Sequence, residues 1–452
     1  MDNIFDIAII GGGPAGYVAA ERAGAKGLSV VVFDKRVLGG VCLNEGCIPT
    51  KTLLFSAKVL ETVHDASKYG VKAEQVSFDF GAIMQRKNKV VKKLVAGVGM
   101  KMKHAKAEVV IAPAVIRRRS EGLVVIEADN REFMSRNLLI CTGSEAFVPP
   151  IPGLDLNEVL TNREILQLKE LPKELVVIGG GVIGTEFTDF FNAMGTKVTV
   201  IEMLPEILTG IDEQIAQTLR DELTKRGVTF HLLSKVTRLE GKTVFFEKDG
   251  VTQSVTGDEV LVSVGRKPNV QGIGLENIGV DFTPRGVKID SNCRTNIPNV
   301  YACGDITGFS LLAHTASREG EVAVNHILGR KDVMRYNAVP GVVYTHPEIA
   351  GVGLTEKQAQ EQGIAYKVSM LPMQYAGRFV AENEGKNGFC KVIAGAKYGE
   401  ILGIHMIGGA CSEMIYGACA MIETEMRLAD VEEIIFPHPT VSEIIRETVF
   451  GF

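Results

Sequence analysis

Cys42 and Cys47 stand in the stretch Gly39-Gly-Val-Cys-Leu-Asn-Glu-Gly-Cys-Ile-Pro-Thr-Lys51. Two thiols this close, set beside a bound redox cofactor, can pass two electrons between sulfur and a ring system. Positions five apart in a regular helix are offset by about 500° and about 7.5 Å of rise, beyond the roughly 7 Å between Cα atoms that a disulfide spans. If the pair bridges, the backbone must therefore leave the helix between them. Gly46 permits unusual dihedrals, and Pro49 cannot donate to the carbonyl of Glu45. A bridge closing so short a loop stabilises a fold by only about 2 kcal/mol, which favours chemistry over stapling. The plainer alternative is two unrelated buried cysteines.

The elements before this stretch form a dinucleotide-binding pattern. Ile7 to Ile10 read as a buried parallel strand, and Gly11, Gly13 and Gly16 give the G-x-G-x-x-G turn into a helix over Tyr17 to Lys26. A second strand, Ser29 to Phe33, ends at Asp34. Such a turn lets the backbone approach a pyrophosphate at the helix N-terminus, and the acid accepts from ribose hydroxyls. The pattern recurs at an offset of 168 residues, with Gly179, Gly181 and Gly184 leading to Glu202. Two copies mean two dinucleotide sites. A flavin beside a disulfide needs a partner for hydride, so one FAD and one nicotinamide nucleotide is the economical assignment. The first unit runs into the cysteines and takes the FAD. The second takes NAD rather than NADP, since Glu202 suits a 2′-hydroxyl and repels a 2′-phosphate.

Bulk composition narrows the class. The chain has 452 residues, 46% hydrophobic and 23% charged, with net charge −5. These values describe an ordinary globular protein of about three domains. No basic stripe argues for nucleic acid, and no polybasic segment argues for a membrane surface. The eight cysteines are no disulfide framework, and the six outside the pair show no metal-ligand spacing. Cys141 reads as a core residue. The N-terminus lacks a basic n-region and a cleavage site, and no apolar run has spanning length. The expectation is a cytoplasmic protein without metal, nucleic-acid or membrane partners.

Between the two units, Phe55 to Lys106 reads as helical, and the lysines from Lys87 to Lys106 read as a solvated face. Val109 to Leu139 reads as strands, ending at Thr142-Gly143-Ser144. The proline-rich 149–153 segment is a domain junction, and the second unit closes near Gly265. Asp305, after a short strand, reads equally as an acceptor for a flavin ribityl chain or as an Asx-turn residue. From about Arg335 the pattern becomes antiparallel strands and helices. The expected fold is α/β, with two Rossmann-like domains and a C-terminal α+β interface domain. Its divisions are 1–148 and 265–335 for FAD, 149–264 for NAD and 336–452 for dimerisation. His438 lies between two prolines, outside any helix interior. Glu443 follows at a spacing that lets a carboxylate hold one ring nitrogen and leave the other free as a base. The inert reading is an ordinary surface histidine. His314 and His346 lie in loops that sequence does not rank.

With both glycine turns, the sequence is identified as similar to the pyridine nucleotide-disulfide oxidoreductases through Gly39 to Lys51, Tyr301-Ala-Cys-Gly-Asp305, Tyr344-Thr-His-Pro-Glu348 and His438-Pro-Thr-Val-Ser-Glu443. The likeness covers the whole chain. It implies that Cys47 lies nearest the flavin and Cys42 exchanges with substrate. It implies a homodimer in which His438 of the partner subunit takes a thiol proton while Glu443 orients it. Lys51 then sits by flavin N5, Glu186 by the nicotinamide, and Asp305 and Ala313 against the flavin; Gly143 and Gly265 join the cofactor positions. The implied substrate is dihydrolipoamide on a lipoylated carrier or acyltransferase of a multienzyme complex. Glutathione- or mercuric-reductase-like activity is the alternative within the family, and a non-catalytic complex scaffold the alternative outside it. Phe436 stands where the family often has a second histidine, and reads as a packing variant.

Overall fold

The structure is a computed structural model and describes residues 4–155 and 159–452. The helices include α1 (Pro14–Gly24), α2 (Gly40–Glu45), α3 (Cys47–His64), α4 (Phe80–His104), α5 (Val182–Ala193), α6 (Glu213–Lys225) and α7 (Ala313–Ile327). The chain divides into two compact units. One holds Met1–Thr52, Gln85–Phe147 and Gly265–Arg335; the other holds Leu53–Met84, Val148–Val264 and Tyr336–Phe452.

The first unit is built on a mixed sheet. Ile4–Ile10 pairs in parallel with Val30–Asp34 on one side and Arg131–Ile140 on the other. Val30–Asp34 pairs in turn with Glu108–Ile111, and Val300–Ala302 joins Arg131–Ile140 in parallel. Ile7 to Ile9 and Leu138 to Ile140 are each fully buried, as continuous apolar runs in parallel strands must be. Helix α7 lies against α1 so closely that a Cβ on Gly320 would come 2.7 Å from the carbonyl oxygen of Ala15.

The second unit contains the second nucleotide fold. Its parallel sheet runs Thr229–His231, Lys197–Ile201, Glu174–Ile178, Glu259–Val262. The same unit holds a five-stranded antiparallel sheet from Gly341–Val343 to Ile401–Gly408. Lys391, on the strand Phe389–Gly395, is 2% exposed and donates to Asp212 Oδ2 at 2.9 Å and Gln214 Oε1 at 2.8 Å. It also pairs with Glu356. Asp212 is the N-cap of α6, so this buried ammonium ties the second nucleotide fold to the antiparallel sheet.

Two features depart from the sequence reading. The helical run from Phe55 breaks after His64, turns through the short 3-10 helix Asp65–Tyr69 and resumes at Phe80. Gly70, at a left-handed φ of 76°, closes that turn. Leu53–Met84 also groups with the second unit rather than with the rest of 1–148. The reason is apolar burial: Leu53, Leu54, Ala57 and Met84 share a core with Phe187, Phe190 and Phe191 of α5 and Leu219 of α6. Segments 149–264 and 336–452 fall in that one unit as well.

Candidate active site

The cysteine stretch is two helices with a break between them. Helix α2 ends at Glu45, Gly46 leaves helical geometry at φ −151° and ψ −105°, and α3 starts at Cys47. An unbroken helix would hold the two positions apart; the break lets the sulfurs share a hydrogen bond. That bond, followed by burial, pushes the Cys42 thiol well up, while the Lys51 ammonium pulls the other way. Pro49 lies in the first turn of α3, where its missing N–H costs no helical bond. Asn44 Nδ2 donates to the carbonyls of Leu38 at 3.1 Å and Gly40 at 2.9 Å, fixing the loop that enters α2. A Cβ on Gly40 would stand 2.7 Å from the Cα of Gly13, so the cysteine helices start directly on the first glycine turn. Lys51 lies one turn beyond Cys47 on α3 and is half-buried. Burial, then the charges of Cys42 and Cys47, raise the Tyr17 phenol, which places this ring near the thiols. In the sequence, Tyr17 reads only as a helix residue.

The two glycine turns have the same construction. Gly11 and Gly179 adopt φ of 112° and 103°, a region that L side chains avoid. A Cβ on Gly16 would lie 1.8 Å from the oxygen of Gly11, and one on Gly184 2.2 Å from that of Gly179. Those glycines serve the protein's own packing. The middle ones do not: a Cβ on Gly181 would meet nothing within 4 Å, and one on Gly13 only Gly40 at 3.7 Å. Space kept open at the head of a helix, where the chain itself does not fill it, fits a pyrophosphate. Asp34 Oδ2 accepts from Gly12 N at 2.9 Å, and Glu202 Oε2 from Gly180 N at 2.6 Å. Each acid thus stitches its turn with one oxygen. The other oxygen accepts from the following loop, from Arg36 N and Val37 N in the first case and from Leu204 N in the second.

Asp305 is joined to Ser144 and Arg266, far from it in sequence. Ser144 Oγ donates to Asp305 Oδ2 at 2.5 Å. Arg266 Nε donates to Ser144 Oγ at 2.7 Å and lies 4.0 Å from Asp305 Oδ2. The Asp305 carboxylate contributes to the rise of the Cys42 thiol, so Cys42, Cys47, Lys51 and Asp305 gather in one place. Gly143 and Gly265 flank the short pairing of Ser144–Ala146 with Arg266–Pro268. Neither has an atom within 4 Å of where its Cβ would be. Ala313 opens α7. Buried Glu319, on α7, accepts from Gly304 N at 2.5 Å, holding the turn just before Asp305. Pairs so far apart in sequence carry no local signal.

In the second unit, Glu186 on α5 is 3% exposed and accepts from Tyr344 N at 3.1 Å. One turn on, fully buried Asp189 accepts from His346 N at 3.0 Å and pairs with Arg226. Arg226 also pairs with Glu61 of α3 at 2.6 Å. Two carboxylates of α5 therefore clamp the backbone of the 344–346 segment. His346 is not a free base. Its Nε2 accepts from Lys386 Nζ at 2.6 Å, and burial, with the Lys386 charge, lowers it to about 3.

His438 and Glu443 form a pair in the same unit. His438 Nδ1 and Glu443 Oε1 are 2.9 Å apart, and Thr440 N donates to Glu443 Oε2 at 2.9 Å. These two bonds, the backbone one first, hold the Glu443 carboxyl below its usual range. A carboxylate only accepts, so Nδ1 carries the proton and Nε2 is left with a lone pair. The His438 side chain is 78% exposed, ready to meet another surface. Phe436 packs against the core of the antiparallel sheet.

Among the described residues no helix is long and apolar enough to cross a membrane. The family model described as pyridine nucleotide-disulphide oxidoreductase matches residues 5–320, and that of its dimerisation domain matches residues 339–449. Dihydrolipoyl dehydrogenase of Bacillus subtilis (strain 168) is 38% identical, covering 98% of this chain and 98% of the relative. That of Geobacillus stearothermophilus is 40% identical over 97% of this chain and 94% of its own. Among solved structures, LpdA of Mycobacterium tuberculosis superposes with a TM-score of 0.91 at 27% identity, over 99% of both chains. The HOCl-induced flavoprotein disulfide reductase RclA of Escherichia coli gives 0.86 at 28%, also over 99% of both.

Proposed function

This chain belongs to the pyridine nucleotide-disulphide oxidoreductase family, and from that membership we propose the activity its site fits best, that of an FAD- and NAD-dependent dihydrolipoyl dehydrogenase. The reaction converts a dihydrolipoyl dithiol and NAD⁺ to the cyclic disulfide, NADH and a proton. FAD, when bound, supplies the two-electron carrier between the sulfur pair and the nicotinamide. Residues 1–148 with 265–335 would hold it through Gly11, Gly13, Gly16, Asp34, Gly143, Gly265, Asp305 and the backbone at Ala313, with Lys51 beside N5. Residues 149–264 would hold NAD through Gly179, Gly181, Gly184 and Glu202, with Glu186 near the nicotinamide. Residues 336–452 form the interface of a homodimer.

His438 of the partner subunit takes the proton of one substrate thiol at Nε2, while Glu443 keeps the ring in that tautomer and stabilises its charge. The thiolate attacks Cys42 Sγ of the oxidised pair. The Cys42–Cys47 bond breaks and Cys47 leaves as the thiolate, near the flavin. The second substrate thiol then attacks the mixed disulfide, closing the lipoyl ring and releasing Cys42. The substrate arrives on a lipoylated carrier or acyltransferase of a multienzyme complex, in the cytoplasm, where a reducing environment suits a cycling disulfide.

The observation that carries this reading is the helix break at Gly46, which brings Cys42 and Cys47 into hydrogen-bonding reach directly on the first glycine turn. The test is turnover by the purified holoenzyme. NAD-dependent oxidation of dihydrolipoamide, without NADPH-dependent reduction of glutathione disulfide, is expected. Cys42→Ser should keep FAD and lose dihydrolipoamide turnover; substantial turnover in that variant overturns the exchange role.

A further inference from the structure

Between Phe80 and Ala107 the sequence holds eight Lys or Arg and no acid, in a chain whose 54 acids outnumber its 49 Lys and Arg. Nearly all of this segment is the single helix α4. Its cations are not alike. Lys87 turns inward and is 3% exposed, with burial depressing its ammonium. Lys101 pairs with Glu21 at 2.9 Å. Lys89, Lys92, Lys93 and Lys103 are exposed, and among the described residues none of them forms an ion pair.

A helix face that is merely solvated intersperses acids, because like charges three or four residues apart repel and weaken the helix. Here Arg86, Lys89 and Lys93, with Lys92 beside them, follow one another at that spacing with no acid between. Exposed Ala96 and Met100 continue the stripe, and Lys103 closes it. The stripe also starts in a particular place. Arg86 Nη1 donates to the carbonyl oxygen of Thr52 at 3.0 Å, and Thr52 follows Lys51 on the helix that carries Cys47. Seven residues of helix rise put Lys93 roughly 10 Å along the axis from Arg86.

We propose that this face of α4 (Arg86, Lys89, Lys92, Lys93 and Lys103) steers and docks an acidic protein domain that presents the dithiol. The proposal rests on the dihydrolipoyl reading above. Charge complementarity selects the occupant: free dihydrolipoamide is uncharged and gains nothing from the stripe, whereas an acidic carrier is drawn along the field toward the helix that holds the cysteines.

The experiment uses the holoenzyme and three probes: free dihydrolipoamide, a dihydrolipoylated peptide with glutamate-rich flanks, and the same peptide with glutamine flanks. At low ionic strength the acidic peptide should exceed the neutral one about tenfold in kcat/KM, the lower end of what steering supplies. That advantage should vanish near 1 M salt, where the screening length falls to about 3 Å. The triple variant K89E/K92E/K93E should abolish the advantage while leaving turnover of free dihydrolipoamide unchanged. K89Q/K92Q/K93Q, which removes only the charges, should do the same. An acidic-peptide advantage that survives these changes, or none in the natural protein, overturns the proposal. If free dihydrolipoamide is not oxidised at all, the dihydrolipoyl reading itself has failed, and salt-sensitive anisotropy of the unlipoylated acidic peptide, abolished by the triple variant, decides the docking claim separately. Binding of a short DNA duplex under conditions where the acidic peptide does not bind would overturn it in favour of nucleic acid.

Discussion

Glu443 holds His438 with one oxygen and the backbone of Thr440 with the other, each at 2.9 Å. The carboxylate is thereby fixed before it fixes the ring. Its pKa is lowered, first by the Thr440 N–H and then by His438, so it keeps its charge to below the ordinary carboxylate range. Its support is lost only as pH falls through that depressed value, below the ordinary carboxylate range.

Glu443→Gln keeps an acceptor for Nδ1–H but removes the charge that favours the imidazolium. The acid limb of the kcat/KM profile should move to lower pH, since protonating the ring becomes harder, and turnover should fall about tenfold or more. A pH–rate series on both proteins checks this. An unmoved acid limb would show that Glu443 does not act on the base.

Loss of the proposed base should cost more. His438→Ala is expected to lower dihydrolipoamide turnover by roughly 10²-fold or more, the usual scale for a lost proton acceptor. NADH oxidation by ferricyanide involves no substrate thiol and should persist. Parallel loss of both activities would point to misfolding rather than to missing proton transfer.

The glycines of the second turn should separate by position. Gly184→Ala drives a methyl to 2.2 Å from the oxygen of Gly179, so it should lower stability by about 1–3 kcal/mol or more, as overpacking does. Gly181→Ala meets no protein atom within 4 Å and should leave the unfolding midpoint unchanged while weakening NAD. Denaturant curves and NAD titration by calorimetry distinguish the two.

Arg226 holds two carboxylates that burial pushes upward, those of Glu61 and Asp189. Arg226→Met leaves both without their guanidinium, and removing one side of such a cluster costs about 3 kcal/mol at neutral pH. Without the cation their folded pKa values rise further above the unfolded ones. The penalty should therefore be largest above those folded values and shrink as pH falls through them, where the acids protonate. Chemical denaturation at several pH values reads this directly.

The site was legible in the sequence where its residues are close together. Cys42 with Cys47, His438 with Glu443, and each glycine turn with its acid lie within a few dozen residues, and chemistry fixes their spacing. Gly46 was named as the position that frees the backbone, and there α2 ends. Phe436 was read as packing, and it packs against the antiparallel sheet's core. What escaped was assembled by tertiary contact. Arg226 meets Glu61 across 165 residues, Asp305 meets Ser144 across 161, and Asp189 meets His346 across 157. No periodicity announces such partners. The helix break after His64 is hard to read because one glycine, Gly70, marks its end, and a single glycine does not by itself interrupt a helical pattern.

The way the first unit is threaded has a consequence for biosynthesis. Its sheet is completed by Val300–Ala302, which pairs with Arg131–Ile140, and its last segment runs to Arg335. While the ribosome is still translating, the parallel strands from Glu174 to Val262 are already complete, so this four-stranded sheet can close first. The first unit, although most of its sheet is made earlier, must wait with an open strand edge for a piece made long afterwards. Chaperone dependence and the moment of flavin loading should both be governed by that delay.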